Sequence, residues 1–154
     1  MINIRTANKN DSEALQNLNQ EVFIDNQQYD SDLKMDWSKS ENGKNYFNKI
    51  LNDPESCCFI AEENGQPVGY ISASPRKVNY LKSKYFEIDN MGVAPKYRSK
   101  GIGSLLIDKC LGWAKIKGYN RLHVNAYFSN KKAVNFYKKN GFSETDISLQ
   151  RNIQ

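Results

Sequence analysis

The segment "SCCFIAEENGQPVGYISASP", residues 56–75, restricts the fold more than any other part of the chain. Two apolar runs, residues 57–61 and 68–73, flank a turn that contains Asn64 and Gly65. Asparagine and glycine tolerate the positive φ angles of a tight two-residue hairpin, so the runs are predicted to pair antiparallel. A sheet must therefore form, and the remaining elements have to cover it.

The flanking segments supply those elements. "INIRTA" (2–7) alternates apolar and polar residues as a strand does. "NDSEALQNLNQEVF" follows, with Asn10 placed to cap, Glu13 three residues on, and Leu15, Leu18 and Val22 at helical spacing. A polar stretch, "IDNQQYDSDLKMDWSKSENG", then breaks the pattern, and a second helix is predicted over 44–51. "KYFEIDNMGVAP" reads as a strand stopped by Pro95. Ile102, Leu105, Leu106, Cys110, Trp113 and Ala114 trace one face of a long helix ending at Gly118. "RLHVNAYF" returns to strand, "NKKAVNFYKKNG" is a short helix closed by Gly141, and "FSETDISL" reads as a last strand. Gly92 interrupts its strand, where glycine marks a bulge or a close backbone approach.

Strand, helix, helix, three strands, helix, strand, helix, strand is the order of a mixed α/β domain. The 154 residues suit one domain spanning 1–154, and 39% hydrophobic with 25% charged residues suits a globular one. No apolar run approaches the roughly 18 to 20 residues of a membrane span, and the N-terminus has no signal-peptide core, so a cytoplasmic protein is expected. The net charge of +5 comes without any helix-turn-helix, zinc-finger or RNA-recognition signature, so nucleic acid is not an expected partner. Cys57, Cys58 and Cys110, an odd set without CxxC spacing, are expected to be reduced packing residues. His123 is the only histidine, which argues against a histidine-rich metal site and against a Ser-His-Asp triad.

The chemistry concentrates in "YRSKGIGSLL" (97–106), a glycine turn between a strand and a helix. Glycines allow the backbone to turn sharply and approach a ligand closely, and a helix start presents unpaired N–H groups and a positive dipole end. A phosphate or pyrophosphate fits that arrangement. A Walker A loop does not, because Lys100 precedes both glycines, and a dinucleotide fingerprint fails at Leu106.

"MGVAPKYRSKGIGSLLI" and "NKKAVNFYKKNGF" together resemble the GNAT superfamily of acetyl-CoA-dependent N-acetyltransferases. The first matches R/Q-x-x-G-x-G/A through Arg98, Gly101 and Gly103. The second matches N-x-x-A-x-x-x-Y with G-F through Asn130, Ala133, Tyr137, Gly141 and Phe142. The resemblance implies a single mixed α/β (α+β) domain. Its mostly antiparallel sheet would hold about six or seven strands flanked by about four helices, splayed between strands four and five. It implies that the backbone from Ser99 through Lys100, Gly101, Ile102 and Gly103 to Ser104 cradles the CoA pyrophosphate, with charge from Arg98 and Lys100. Met91 and Val93 would bond the pantetheine arm, Asn130 its amide with Ala133 beside it, and Tyr137 would lie near the thioester sulfur. The bulge expected at Gly92 would open the cofactor groove.

A free amine with a pKa of about 10 is neutral in roughly one molecule per thousand at pH 7, so a base matters. Glu87, eleven residues before Arg98, stands where histone acetyltransferases of this family carry their glutamate. Asp89 shares its strand face if no bulge intervenes. Tyr137 would stabilise the leaving thiolate by a hydrogen bond. Asn125 stands where N-terminal acetyltransferases of the family place a glutamate, which disfavours a peptide N-terminus as acceptor. The acceptor site is expected in the segment after the first helix, with Asp25, Tyr29, Asp30, Asp32, Asp36 and Trp37 suited to a cationic amine. The expectation is an acetyl-CoA-dependent enzyme acting on a small-molecule amine such as a polyamine, an aminoglycoside or an amino-acid-like amine, without metal and with a homodimer allowed. The alternatives are a lysine or N-terminal acetyltransferase of proteins and a catalytically silent CoA-binding module.

Overall fold

Alternation and helical spacing place their elements close to expectation in the computed structural model, which describes residues 1–154. Two compact units divide the chain, Met1–Val124 and Asn125–Gln154. In the first unit the order is β1 (Ile2–Thr6), α1 (Ser12–Asn26), α2 (Glu41–Asn52), β2 (Cys57–Glu63), β3 (Gln66–Arg76), β4 (Tyr85–Val93), α3 (Ile102–Ile116) and β5 (Arg121–Val124). The strands form one sheet in sequence order, antiparallel from β1 to β4, with β5 parallel to β4. The hairpin closes with Glu63 opposite Gln66, and Asn64 and Gly65 both take positive φ, 51° and 77°.

Helices cover both faces of this sheet. Leu15 and Leu18 of α1, Phe47 and Ile50 of α2, Cys58 and Ile60 of β2 and Tyr70 of β3 form one buried cluster. On the opposite face Ile102, Leu106, Ile107, Cys110 and Ala114 turn the apolar stripe of α3 toward the sheet. Phe86 stacks there on Trp113 at 5.2 Å. Asn8, not Asn10, supplies the first cap, in a reciprocal box with Asp11 ahead of α1. Ser40 caps α2, which therefore starts at Glu41, earlier than the apolar spacing suggested.

The second unit holds α4 (Lys131–Lys139), capped by Asn130 and followed by Gly141 at φ 90°. The expected last strand does not form: residues 143–154 have no regular structure, and Ile147 and Leu149 are 67% and 92% exposed. The sheet has five strands, not six or seven. Alternation says which side of a strand would be apolar, but a strand also needs a partner for its backbone.

Two features of β4 prepare the site. Its pairing with β5 stops at Ile88–Val124, so Asp89–Val93 have no β5 partner and the two strands part there. Its bulge falls at Asp89: Ser72 faces Asn90 while the next residue, Ala73, faces Ile88. Gly92, where the bulge was expected, pairs regularly with Tyr70. That glycine answers a close approach instead, since a Cβ there would stand 2.5 Å from Val22 Cγ2 of α1.

Candidate active site

The turn from β4 into α3 is shaped by backbone conformations. Pro95–Tyr97 make a single 3-10 turn, Ser99 takes φ 61°, and Gly101 caps α3 at φ 81° in the left-handed region. No side chain caps this helix. Its first helical bond runs from the Leu105 N–H to the Gly101 carbonyl, so the N–H groups of Ile102, Gly103 and Ser104 lie ahead of the ladder. A Cβ on Gly101 would meet nothing within 4 Å, so φ and charge, not space, restrict that position. The cradle is a good fit for a diphosphate.

Arg98 makes two contacts that the motif alone does not suggest. Its Nε donates to the Val93 carbonyl at 2.7 Å and its Nη1 pairs with Asp25 Oδ2 at 2.6 Å. It thus ties the loop to the end of β4 and to α1, and the charge it can offer a phosphate is already shared with Asp25. Asp25, expected in the acceptor segment, is the carboxylate partner of Arg98. Lys100 lies over the Tyr97 ring, 5.4 Å from its centroid.

Midway along β4, polar groups gather on the face covered by α1 and α2. Glu87 stands opposite Ser74 on β3 and His123 on β5. His123 Nδ1 lies 3.1 Å from Glu87 Oε1. Asp89 accepts a hydrogen bond from the Ser74 hydroxyl at 2.6 Å. Desolvation pushes the Asp89 carboxyl above its usual range and the Glu87 charge adds to the effect, while the Ser74 bond opposes it. The bulge therefore leaves both carboxylates on one neighbourhood of the sheet. Next to them Tyr46 of α2 meets Ser72 at 3.1 Å, and Asn90 accepts from the Tyr70 hydroxyl at 2.6 Å. Met91 and Val93 follow on the unpaired half of the strand.

Sequence reasoning named Glu87 and Asp89 but not their neighbours His123, Asn90, Ser72, Ser74 and Tyr46. The register of β3, β4 and β5 would have found His123, Asn90, Ser72 and Ser74, because residues opposite one another share a face, whereas Tyr46 arrives from α2.

The segment between α1 and α2 is pinned by side chains of α1. Gln16 Nε2 donates to the Ser38 carbonyl and Gln20 Nε2 to that of Met35, each at 2.9 Å. Trp37 stacks on Phe23 at 5.7 Å and tilts against Tyr46, so its ring packs among aromatics. Asp36 and Asp32 are exposed, Tyr29 and Asp30 half-buried.

In the second unit, Asn130 Oδ1 accepts from the Ala133 N–H at 3.1 Å as the α4 cap, which turns the rest of its carboxamide away from the helix. Tyr137 packs edge-on against Phe136 and Phe142, at 5.3 and 5.6 Å. Burial pushes its hydroxyl up to about 12, so it stays protonated at neutral pH and keeps an O–H to donate. The cysteines are buried and free. A hydrogen bond with Cys110 and then burial raise Cys57, and burial pushes Cys58 up to about 12. Neither Cys57 nor Cys58 is a thiolate at neutral pH in such surroundings.

Comparison with known proteins agrees with this geometry. The model of the Acetyltransferase (GNAT) family matches residues 13–142, a stretch that runs through both units. An uncharacterised N-acetyltransferase of Methanocaldococcus jannaschii is 34% identical over 103 residues, 66% of this chain and 46% of its own length. N-acetyltransferase family 8 member 3 of Mus musculus is 27% identical over 95 residues, 62% of this chain and 42% of its own. The chain thus spans less than half the length of these curated relatives. Among solved structures, a mutant of the BH1408 protein from Bacillus halodurans superposes with a TM-score of 0.87 at 18% identity, covering 99% of both chains. The aminoglycoside acetyltransferase AAC(6')-Iy, bound to a CoA-acetylneamine bisubstrate analogue, superposes with a TM-score of 0.79 at 20% identity, over 100% of this chain and 99% of that one. With its glycine turn, its parted β4 and β5 and a family match over 13–142, this chain belongs to the Acetyltransferase (GNAT) family.

Proposed function

We propose that the chain is one catalytic domain that moves the acetyl group of acetyl-CoA directly to a primary amine of a small molecule. The observation that carries this reading is the left-handed turn at Ser99 and Gly101, which presents bare N–H groups beside the half of β4 that β5 leaves unpaired. The amides of Ile102, Gly103 and Ser104 bind the pyrophosphate, and the Asp89–Val93 backbone aligns the pantetheine arm like an added strand. Acetyl-CoA supplies the thioester, and the amine nitrogen attacks its carbonyl carbon.

Glu87 and Asp89 draw the ammonium group and take its proton. The raised Asp89 carboxyl holds a proton better than an ordinary aspartate. His123, hydrogen-bonded to Glu87, can share that proton. As the carbon–sulfur bond breaks, the Tyr137 hydroxyl donates a hydrogen bond to the thiolate. A phenol at about 12 cannot hand its proton fully to a thiolate of about 8.5, so stabilisation by the bond is its role.

Small amines are supported by the carboxylate pair and by the likeness of fold to aminoglycoside acetyltransferases solved with CoA and with sisomicin. Thiol release from acetyl-CoA tests the reading against a panel of spermidine, kanamycin, lysine and peptides with free N-termini or lysines. The chain's own thiols are buried and give little background. Turnover of at least one small amine is expected. CoA binding without turnover of any amine would leave only the silent binding module.

A further inference from the structure

A directed chain of hydrogen bonds crosses the first unit and stops at the site. The Ser38 hydroxyl donates to Asn19 Oδ1 at 2.6 Å, Asn19 Nδ2 donates to the Tyr70 hydroxyl oxygen at 2.9 Å, and Tyr70 donates to Asn90 Oδ1 at 2.6 Å. Ser38, Asn19 and Tyr70 are 0% exposed, whereas Asn90 is only half-buried. Each of the three buried groups uses its polar atoms within the chain, and the last bond fixes the Asn90 carboxamide by its oxygen. Its Nδ2 makes no hydrogen bond, which leaves two N–H donors on that amide.

Stability alone does not demand this construction. Apolar residues of similar shape at both ends of a buried hydrogen bond are close to neutral for folding. What the chain adds is orientation of the one member that is not fully buried. Asn90 follows the bulged Asp89, lies on the same sheet face as Glu87 and belongs to the stretch that β5 leaves unpaired. Carboxylates attract the ammonium group there, and beside them stand donors suited to an oxygen.

We infer that Asn90 is a specificity-determining contact of the acceptor site, held by Tyr70, and that the preferred acceptor is an amine carrying a hydroxyl or carbonyl oxygen within a few bonds of its nitrogen. The inference rests on the acetyltransferase reading and narrows its substrate class. Asn90 touches the acceptor; Tyr70, Asn19 and Ser38 are positioning residues.

The test compares 1,3-diamino-2-propanol with 1,3-diaminopropane, which differ by one hydroxyl and share the same cationic groups. One satisfied hydrogen bond predicts about ten-fold higher kcat/KM for the hydroxylated amine. Asn90→Ala brings the two amines to within two-fold of each other. Tyr70→Phe acts in the same direction with a smaller change. The preference ratio is the readout, since a merely structural loss lowers both amines alike. Should Tyr70→Phe fail to fold, the Asn90→Ala ratio, with Asn90→Asp beside it, decides alone. Equal use of the two amines by the unaltered protein, or a preference that survives Asn90→Ala, overturns the inference. So does turnover of other amines in the panel with neither diamine used. No turnover of any amine overturns the acetyltransferase reading instead.

Discussion

The turn at 98–104 and the segment at 27–40 both border the site, and they are built on opposite principles. In the turn, the proposed function rests on backbone: positive φ at Ser99 and Gly101 and helix amides with no side-chain cap. In the segment, side chains decide everything: Gln16 and Gln20 tether it, Trp37 packs on Phe23, and Ser38 starts the polar chain to Asn90. A backbone site tolerates many side chains and few changes of φ or charge. A side-chain site should behave in the reverse way.

The largest effect is expected in the turn. Gly101→Asp places an L residue at φ 81° and a carboxylate where the diphosphate would lie, so CoA affinity should fall at least about 100-fold by calorimetry. Gly101→Ala, which carries the strain alone, should cost roughly ten-fold. If both cost the same, charge plays no part and the comparison loses its electrostatic half.

Next comes the side-chain cluster. Glu87→Gln should lower kcat about 100-fold with little change in CoA affinity. The sign of the pH effect follows from the charges: Glu87 raises Asp89, so its neutralisation lowers the Asp89 pKa and moves the acid limb of kcat/KM to lower pH. A pH–rate profile of both proteins checks the direction. In the proposed mechanism Tyr137→Phe removes one hydrogen bond to a developing charge, and kcat should fall by roughly ten-fold.

A third effect concerns the scaffold between the two regions. Gly92→Ala sets a methyl 2.5 Å from Val22 Cγ2, and overpacking of this kind destabilises by about 1–3 kcal/mol, readable in a denaturant midpoint. An effect of similar size, but one that fades in acid, lies at the far edge of the sheet. Bonding to Arg5 holds Asp11 below the ordinary carboxylate range. Its contribution is complete above the unfolded pKa of about 4 and is lost as pH falls through the lower folded value. Arg5→Ala should therefore cost about 1–3 kcal/mol at neutral pH and less in acid, with Glu62 also losing its partner.

These differences also explain what could be read in advance. The hairpin, the glycine turn and the Asn130 to Tyr137 spacing are local, and short-range rules of φ, capping and periodicity cover them. The bulge was expected at Gly92 because glycine often marks one, yet here it answers the crowding of Val22 from a helix seventy residues away. The motif marks Arg98, but its bonds to Asp25 and to the Val93 carbonyl depend on how α1 packs beside the turn. The Glu87–His123 pair and the Ser38–Asn19–Tyr70–Asn90 chain join residues far apart in sequence, brought together by the sheet register in the first case and by α1 and the α1–α2 segment packing on the sheet in the second. Residues 142–149 read as a strand, but their sequence carries no information about a partner for its backbone.

Backbone amides of the uncrowned helix start are the centre of this account, and amide NMR shifts on titration with CoA observe them directly. The account predicts that Gly101, Ile102, Gly103 and Ser104 shift most, with Met91 and Val93 next, and that Gly101→Asp abolishes the response. Shifts confined to other parts of the chain, or none at saturating CoA, would contradict it.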